Sequence, residues 1–191
     1  KLTSGFAELA AAYADLPTAN KQEKVTVALA VARLWEEGGR DVENAFRALE
    51  VALRVIPEHE DALAELRALA ERHDALLRLR HSYETLLAEL TLPEHVVPMG
   101  LRVARLCEEL DDVEGADERY RGVLSVQGSN LEALRELTRI TEEAERWSDY
   151  AEFYGELLDV ETPRLDPDEL IARTLHLAEL LERRLDRRDD A

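Results

Sequence analysis

The chain has 191 residues, 46% of them hydrophobic and 35% charged, a balance that lets a chain bury a sizeable core in water. Its net charge of −18 repels phosphate backbones and anionic lipid surfaces, which excludes nucleic acid and membranes as general partners and favours basic segments of other proteins. With 5% aromatic residues, 8 glycines and 6 prolines against abundant Ala, Leu, Arg and Glu, the composition predicts an all-α fold.

Apolar periodicity and capping chemistry predict about ten helices. The first, 4–16, carries Phe6 and Tyr13. The second, 21–37, opens on Asn20 with Glu23 three residues on, the spacing of a capping box, and ends before Gly38-Gly39. The third, 42–55, closes before Pro57. The fourth, 60–73, sets Leu63, Leu66 and Leu69 at a spacing of three, which makes one apolar stripe. The fifth, 76–90, contains Tyr83. The sixth is placed at 94–110, and Pro98 either opens it or kinks it. The seventh is 113–126, and the eighth, 131–144, has a Ser129/Glu132 box and the stripe Leu134, Leu137 and Ile140. The ninth, 147–160, holds Trp147 and Tyr154. The tenth, 167–186, begins with Asp166, Pro167 and Glu169, an N-cap, a first-turn proline and a capping box in four residues.

These elements repeat. Leu29–Glu37 reads LAVARLWEE and Leu101–Glu109 reads LRVARLCEE, identical at seven of nine positions and displaced by 72 residues. After a one-residue slip the match continues at a displacement of 71, pairing Asp41-Val42-Glu43 with Asp112-Val113-Glu114, Ala45 with Ala116 and Tyr83 with Tyr154. A third copy starts at Leu175–Leu180, displaced by 74. The predicted copies are 1–20 (partial), 21–92, 93–165 and 166–191 (partial), in one repeat array. A start without methionine and an end inside a repeat suggest a piece of a longer protein.

Each copy is about twice the ~34 residues of one helical hairpin of the tetratricopeptide type, so it divides into two hairpins. The segment Asp41–Pro57, DVENAFRALEVALRVIP, places Ala45, Leu49, Ala52 and Pro57 at the spacing of the second helix of that motif. The chain therefore resembles the tetratricopeptide repeat family in a degenerate form, since Gly128 stands where the later copy would have proline. With 21 arginines and 3 lysines it is similar to the long tetratricopeptide proteins of bacteria with GC-rich genomes. The resemblance implies a right-handed α-solenoid of antiparallel hairpins whose concave face docks a segment of another protein.

The small residues Ala32, Ala104 and Ala178 recur where paired helices approach closely, with Trp35 and Cys107 at an equivalent core site. In the family's superhelix the residue after the small one faces the groove. Here that row is Arg33, Ala68, Arg105, Arg139 and Glu179. Three residues on stands a row of glutamates, Glu36, Glu71, Glu108, Glu142 and Glu182. The partner-binding face implied by the resemblance comprises Arg33, Glu36, Glu71, Arg105, Glu108, Arg135, Arg139, Glu142 and Glu182. Its bland counterpart is simple pairing of each arginine with the glutamate at i+3 on a solvated helix, about 0.2 to 0.5 kcal/mol per pair. Reversal of Arg33, Arg105 and Arg139 is expected to weaken partner binding without unfolding the chain.

Other residues point away from chemistry. Tyr83, Tyr154, Phe6 and Trp147 recur on second helices and read as core. His59, His73, His81, His95 and His176 lack the spacing of metal ligands, and 42 carboxylates make any close pair uninformative. The Arg183-Arg184 and Arg187-Arg188 pairs are interleaved with aspartates and read as a solvated helix end. No phosphate loop or nucleophile elbow is present, so neither catalysis nor a cofactor is expected. The single cysteine fits a reducing compartment, the cytoplasm, and no apolar run longer than Val27–Ala32 suggests a membrane span. The expected function is a protein-interaction scaffold. The alternatives are a spacer or self-assembly element stacking through its end repeats, and a regulatory arm of an enzyme encoded elsewhere in the protein.

Overall fold

The computed structural model describes residues 20–185. The helix expected at 4–16, with Phe6 and Tyr13, lies outside the described residues, as do Arg187 and Arg188. The chain divides into two compact units, 1–95 and 96–191. Every regular element among the described residues is helical.

In the first unit, α1 (Lys21–Arg33) runs into a π-helical turn, Leu34–Gly39, followed by α2 (Val42–Val55), α3 (Glu60–Arg72) and α4 (Leu76–Glu89). Sequential helices pack as antiparallel hairpins, α1 with α2 and α3 with α4, and α2 also packs on α3 and α4. The α2 stripe Ala45, Phe46, Leu49, Ala52 and Leu53 is completely buried between them, with Leu63, Leu66 and Leu69 of α3.

The second unit contains α5 (Pro93–Glu109, most of which lies here), α6 (Val113–Val126), α7 (Leu131–Glu143), α8 (Trp147–Glu161), a 3₁₀ turn at Thr162–Arg164 and α9 (Pro167–Leu185). Pro98 sits in the second turn of α5 and neither opens nor ends the helix. Leu134, Leu137 and Ile140 are buried as their stripe predicts. Gly100 lets α6 come close, because a Cβ there would stand 2.9 Å from Val123 Cγ2. Trp147, Tyr154 and Leu177 half-bury themselves against Tyr150, Ala151, Leu180 and Leu181, which joins α8 to α9.

Local chemistry explains the boundaries. The Asn20, Asp41, Asp112 and Asp166 side chains each accept an N–H from the first turn of the helix that follows. Two caps differ from expectation. Asn130, one residue after Ser129, is the residue with extended backbone just before the helix, and its Oδ1 accepts from Ala133 N at 3.0 Å. His59 caps α3 through Nδ1.

The helices α1, α3, α5 and α7 are followed by non-glycine residues in the left-handed region, Arg40, Asp74, Asp111 and Glu145. The interval from Arg40 to Asp74 equals that from Asp111 to Glu145, 34 residues, so each unit repeats one hairpin at tetratricopeptide length. After the last three, the chain returns a backbone N–H five residues back: Ala75 to Ala70, Asp112 to Cys107 and Arg146 to Thr141. After α1 the same bond spans six residues, from Asp41 to Trp35. The π-helical turn therefore holds the one extra residue that appears as a slip between displacements of 72 and 71 in the sequence.

Candidate functional site

The residues of the two expected rows lie on α1 and the π-helical turn that follows it, α3, α5, α7 and α9, the first helices of successive hairpins. Ala32 and Ala104 are buried beneath them, and Ala178 is half-buried. Burial of the small residue turns its successor outward by about 100° on a helix, so Arg33, Arg105, Arg139 and Glu179 are exposed and Ala68 is half-buried. Glu71, Glu142 and Glu182 are exposed, whereas Glu36 and Glu108 are half-buried.

None of the couples Arg33–Glu36, Arg105–Glu108 and Arg139–Glu142 pairs along its own helix. In the first unit, Glu36 reaches the next hairpin instead. Arg72 donates Nε and Nη2 to its two carboxylate oxygens, both at 2.8 Å, and His73 Nε2 stands 3.1 Å from Oε1. Arg72 also donates to Glu65 at 2.8 Å. Hydrogen bonds from Arg72 hold the Glu36 carboxyl below its ordinary pKa, and those from His73 assist against the opposing effect of burial. Glu71 accepts from Arg67 on its own helix at 2.7 Å. Arg33 has no ion-pair partner among the described residues.

In the second unit the arginines behave alike. Arg139 bridges from α7 to Glu108 of α5 and also donates to Glu136 and Glu143. Glu108 accepts in turn from the Tyr120 hydroxyl at 3.0 Å. Arg105 pairs with Glu132 at the start of α7. Arg135 donates to Glu161 at the end of α8, and Arg173 of α9 reaches the other oxygen of that carboxylate at 2.5 Å. Burial alone would raise the Glu161 pKa, but the bonds and charges of Arg135 and Arg173 outweigh it and hold the group below its ordinary value. The Glu142 carboxylate accepts no hydrogen bond and meets no cation among the described residues. Among the described residues, Glu179 forms only a loose pair with Arg183, at 3.4 Å.

The arrangement therefore differs from two parallel tracks of available charge. Arg105, Arg135 and Arg139 are engaged by carboxylates of neighbouring helices and Glu71 by Arg67 of its own, while Arg33 and the Glu142 carboxylate meet no opposite charge among the described residues. Sequence reasoning missed Arg72, His73, Glu132, Glu161 and Arg173, the partners that do this. Among the described residues no group of three or more His, Cys, Asp or Glu side chains could hold a metal ion, and no helix is long and apolar enough to cross a membrane.

No family model matches the chain, and no curated protein does. Solved structures do resemble it. BtubC (BKLC) from P. vanneervenii is 16% identical with a TM-score of 0.49, covering all of this chain and 85% of its own. PilW, described as a widely conserved type IV pilus biogenesis factor, is 15% identical with a TM-score of 0.47 over 99% of this chain and 90% of its own. MamA 41-end from Desulfovibrio magneticus RS-1 is 16% identical with a TM-score of 0.46 over 87% of this chain and 88% of its own. At these identities and scores the likeness lends nothing to the reading of the site.

Proposed function

We propose that this chain is a protein-interaction scaffold whose first-helix face docks a cationic segment of another protein. The carrying observation is that Arg105, Arg135 and Arg139 already satisfy glutamates of adjoining hairpins, while Glu142 keeps an exposed carboxylate that meets no cation among the described residues. In a chain of net charge −18 that face attracts lysine and arginine side chains. Affinity then sums over several modest contacts spread along the helices. Catalysis has no part in this reading.

The ion pairs also change which residues test it. Reversing Arg105 and Arg139 would set new carboxylates against Glu132, Glu108, Glu136 and Glu143, so lost binding would be confounded with lost stability. The better pair is Glu142→Lys with Glu179→Lys, since Glu142 has no cation partner among the described residues and Glu179 only the loose pair with Arg183, set against Glu118→Lys with Glu156→Lys on the exposed sides of α6 and α8. The probe is a panel of lysine- and arginine-rich twelve-residue peptides titrated by fluorescence anisotropy. The first pair is expected to weaken binding about tenfold and the second much less, each reversal within the site removing roughly 0.7 kcal/mol. Equal loss from both pairs would mean diffuse attraction to an acidic protein and no docking face.

A further inference from the structure

The second helices of the hairpins carry a pattern that partner docking does not use. In the first unit, Arg78 of α4 lies over the Phe46 ring of α2, 4.9 Å from its centroid. Its guanidinium donates to Glu50 at 2.9 Å, to Glu43 at 2.8 and 3.0 Å and to Ser82 at 2.6 Å, and the Ser82 hydroxyl donates to Glu50 at 2.7 Å. Glu50 and Ser82 are buried. The second unit makes the same ensemble of arginine, ring and carboxylate. Arg121 lies 4.8 Å from the Phe153 centroid and donates to Asp149 at 2.6 Å and to Asp117 at 2.8 Å, with Arg146 donating to Asp117 at 2.6 Å.

At the displacement of 71 that relates the two copies, the parts have changed sides. Glu50 corresponds to Arg121, Arg78 to Asp149, and Ser82 to Phe153, while Phe46 corresponds to Asp117. The carboxylate and ring of α2 face the arginine of α4 in one unit. In the other, the arginine of α6 faces the carboxylate and ring of α8. Each interface is satisfied, and the polarity of one is the reverse of the other.

We infer that this reversal is a pairing code that keeps near-duplicate helices from exchanging partners between copies or between chains. Helix α2 set against α8 would bring Glu50 onto Asp149, leave Phe46 without its guanidinium and press Phe153 on a buried carboxylate. Helix α6 set against α4 would bring Arg121 onto Arg78. Like charges set against the buried Glu50 or the half-buried Arg78 penalise the wrong partner more than a lost surface pair would. Repeats with matching apolar stripes cannot discriminate by shape alone, because Leu86 and Leu157, or Ala45 and Ala116, present the same surface to either partner. The charge pattern supplies the difference.

The test refolds the full chain from urea at low and high concentration and measures mass by light scattering after gel filtration. Glu50→Arg repels Arg78 and attracts Asp149, so it should give on the order of tenfold more exchanged dimer than the wild type. Glu50→Ala removes the native contact without creating the wrong one, and should not dimerise. Adding Asp149→Asn to Glu50→Arg should abolish the dimer, whereas adding Arg78→Asp, which gives both units the same polarity, should leave exchanged dimer above the wild-type level. Arg121→Glu, with Arg78→Gln as its suppressor, asks the same question from the other unit. The inference is overturned if Glu50→Arg matches Glu50→Ala in mass. It is equally overturned if its dimers or aggregates persist when Asp149 is neutralised.

Discussion

Glu36 and Arg72 stand 36 residues apart and meet through two parallel N–H to oxygen bonds of 2.8 Å, joining the end of one hairpin's first helix to the end of the next. The pair links adjacent repeats directly, with Arg72 also held by Glu65. Because Glu36 is mostly sheltered and Arg72 nearly half exposed, its coupling should exceed that of a fully solvated pair and remain modest. A double-mutant cycle with Glu36→Gln and Arg72→Met, read by urea denaturation at pH 7, is expected to give about 0.5 to 1 kcal/mol of coupling. No measurable coupling would show that the repeats are held by apolar contact alone.

Glu161 gives the acid sensitivity. It is buried, 8% exposed at the side chain, and is held by Arg135 and Arg173 from two other helices. Its pKa in the folded state is depressed below the unfolded value. The stability it contributes is therefore fully present above the unfolded carboxylate pKa of about 4.3, and is lost as pH falls through the lower folded value. Glu161→Gln should cost roughly 1 to 3 kcal/mol at pH 7 by leaving two arginines without their shared acceptor. The urea midpoint of the wild type should fall between pH 5 and 3 by more than that of the variant; parallel slopes would refute the assignment.

The helices were legible in the sequence because stripes such as Leu63-Leu66-Leu69 and caps such as Asp166 are local. The burial of Tyr83 was legible for the same reason, since a repeated aromatic on a second helix has a neighbouring helix to pack on. Pro98 was ambiguous because a proline in the second turn removes a single donor and leaves the helix continuous. The candidate face was legible only in part. Periodicity placed Arg105 and Arg139 on an exposed side, but their partners Glu132 and Glu108 are 27 and 31 residues away, beyond the reach of a rule based on i and i+3. Glu161 was invisible for the same reason, standing 26 positions from Arg135.

The π-helical turn makes a prediction about length. The first copy has Gly38, Gly39 and Arg40 between Glu37 and Asp41, where the second has only Leu110 and Asp111. Deleting Gly38 should let Leu34–Gly39 continue as α-helix, with the cap bond shortened to the five-residue span seen after Cys107. The deletion should leave the melting temperature unchanged or raise it by a few degrees, the range about 1 kcal/mol produces in a chain of this size. Gly39→Ala should do the opposite, because its Cβ would stand 2.9 Å from Trp35 Cε3. A large loss on deletion would mean that the turn is required rather than accommodated.

The recurring alanines make the last prediction, and it separates equivalent positions. Ala32 and Ala104 are 3% and 0% exposed, while Ala178 on α9 is half-buried. A leucine at 104 has no solvent to extend into and must displace close-packed atoms around the fully buried site, and close packing transmits that strain. Ala104→Leu is expected to destabilise the chain by about 1 to 3 kcal/mol. Ala178→Leu should cost less than about 0.5 kcal/mol, since its side chain has solvent to extend into. The contrast between two residues at one repeat position, measured by thermal and urea unfolding, tests packing and not propensity, because leucine and alanine are both good helix formers. Equal effects would show that the close approach of paired helices does not set the residue there.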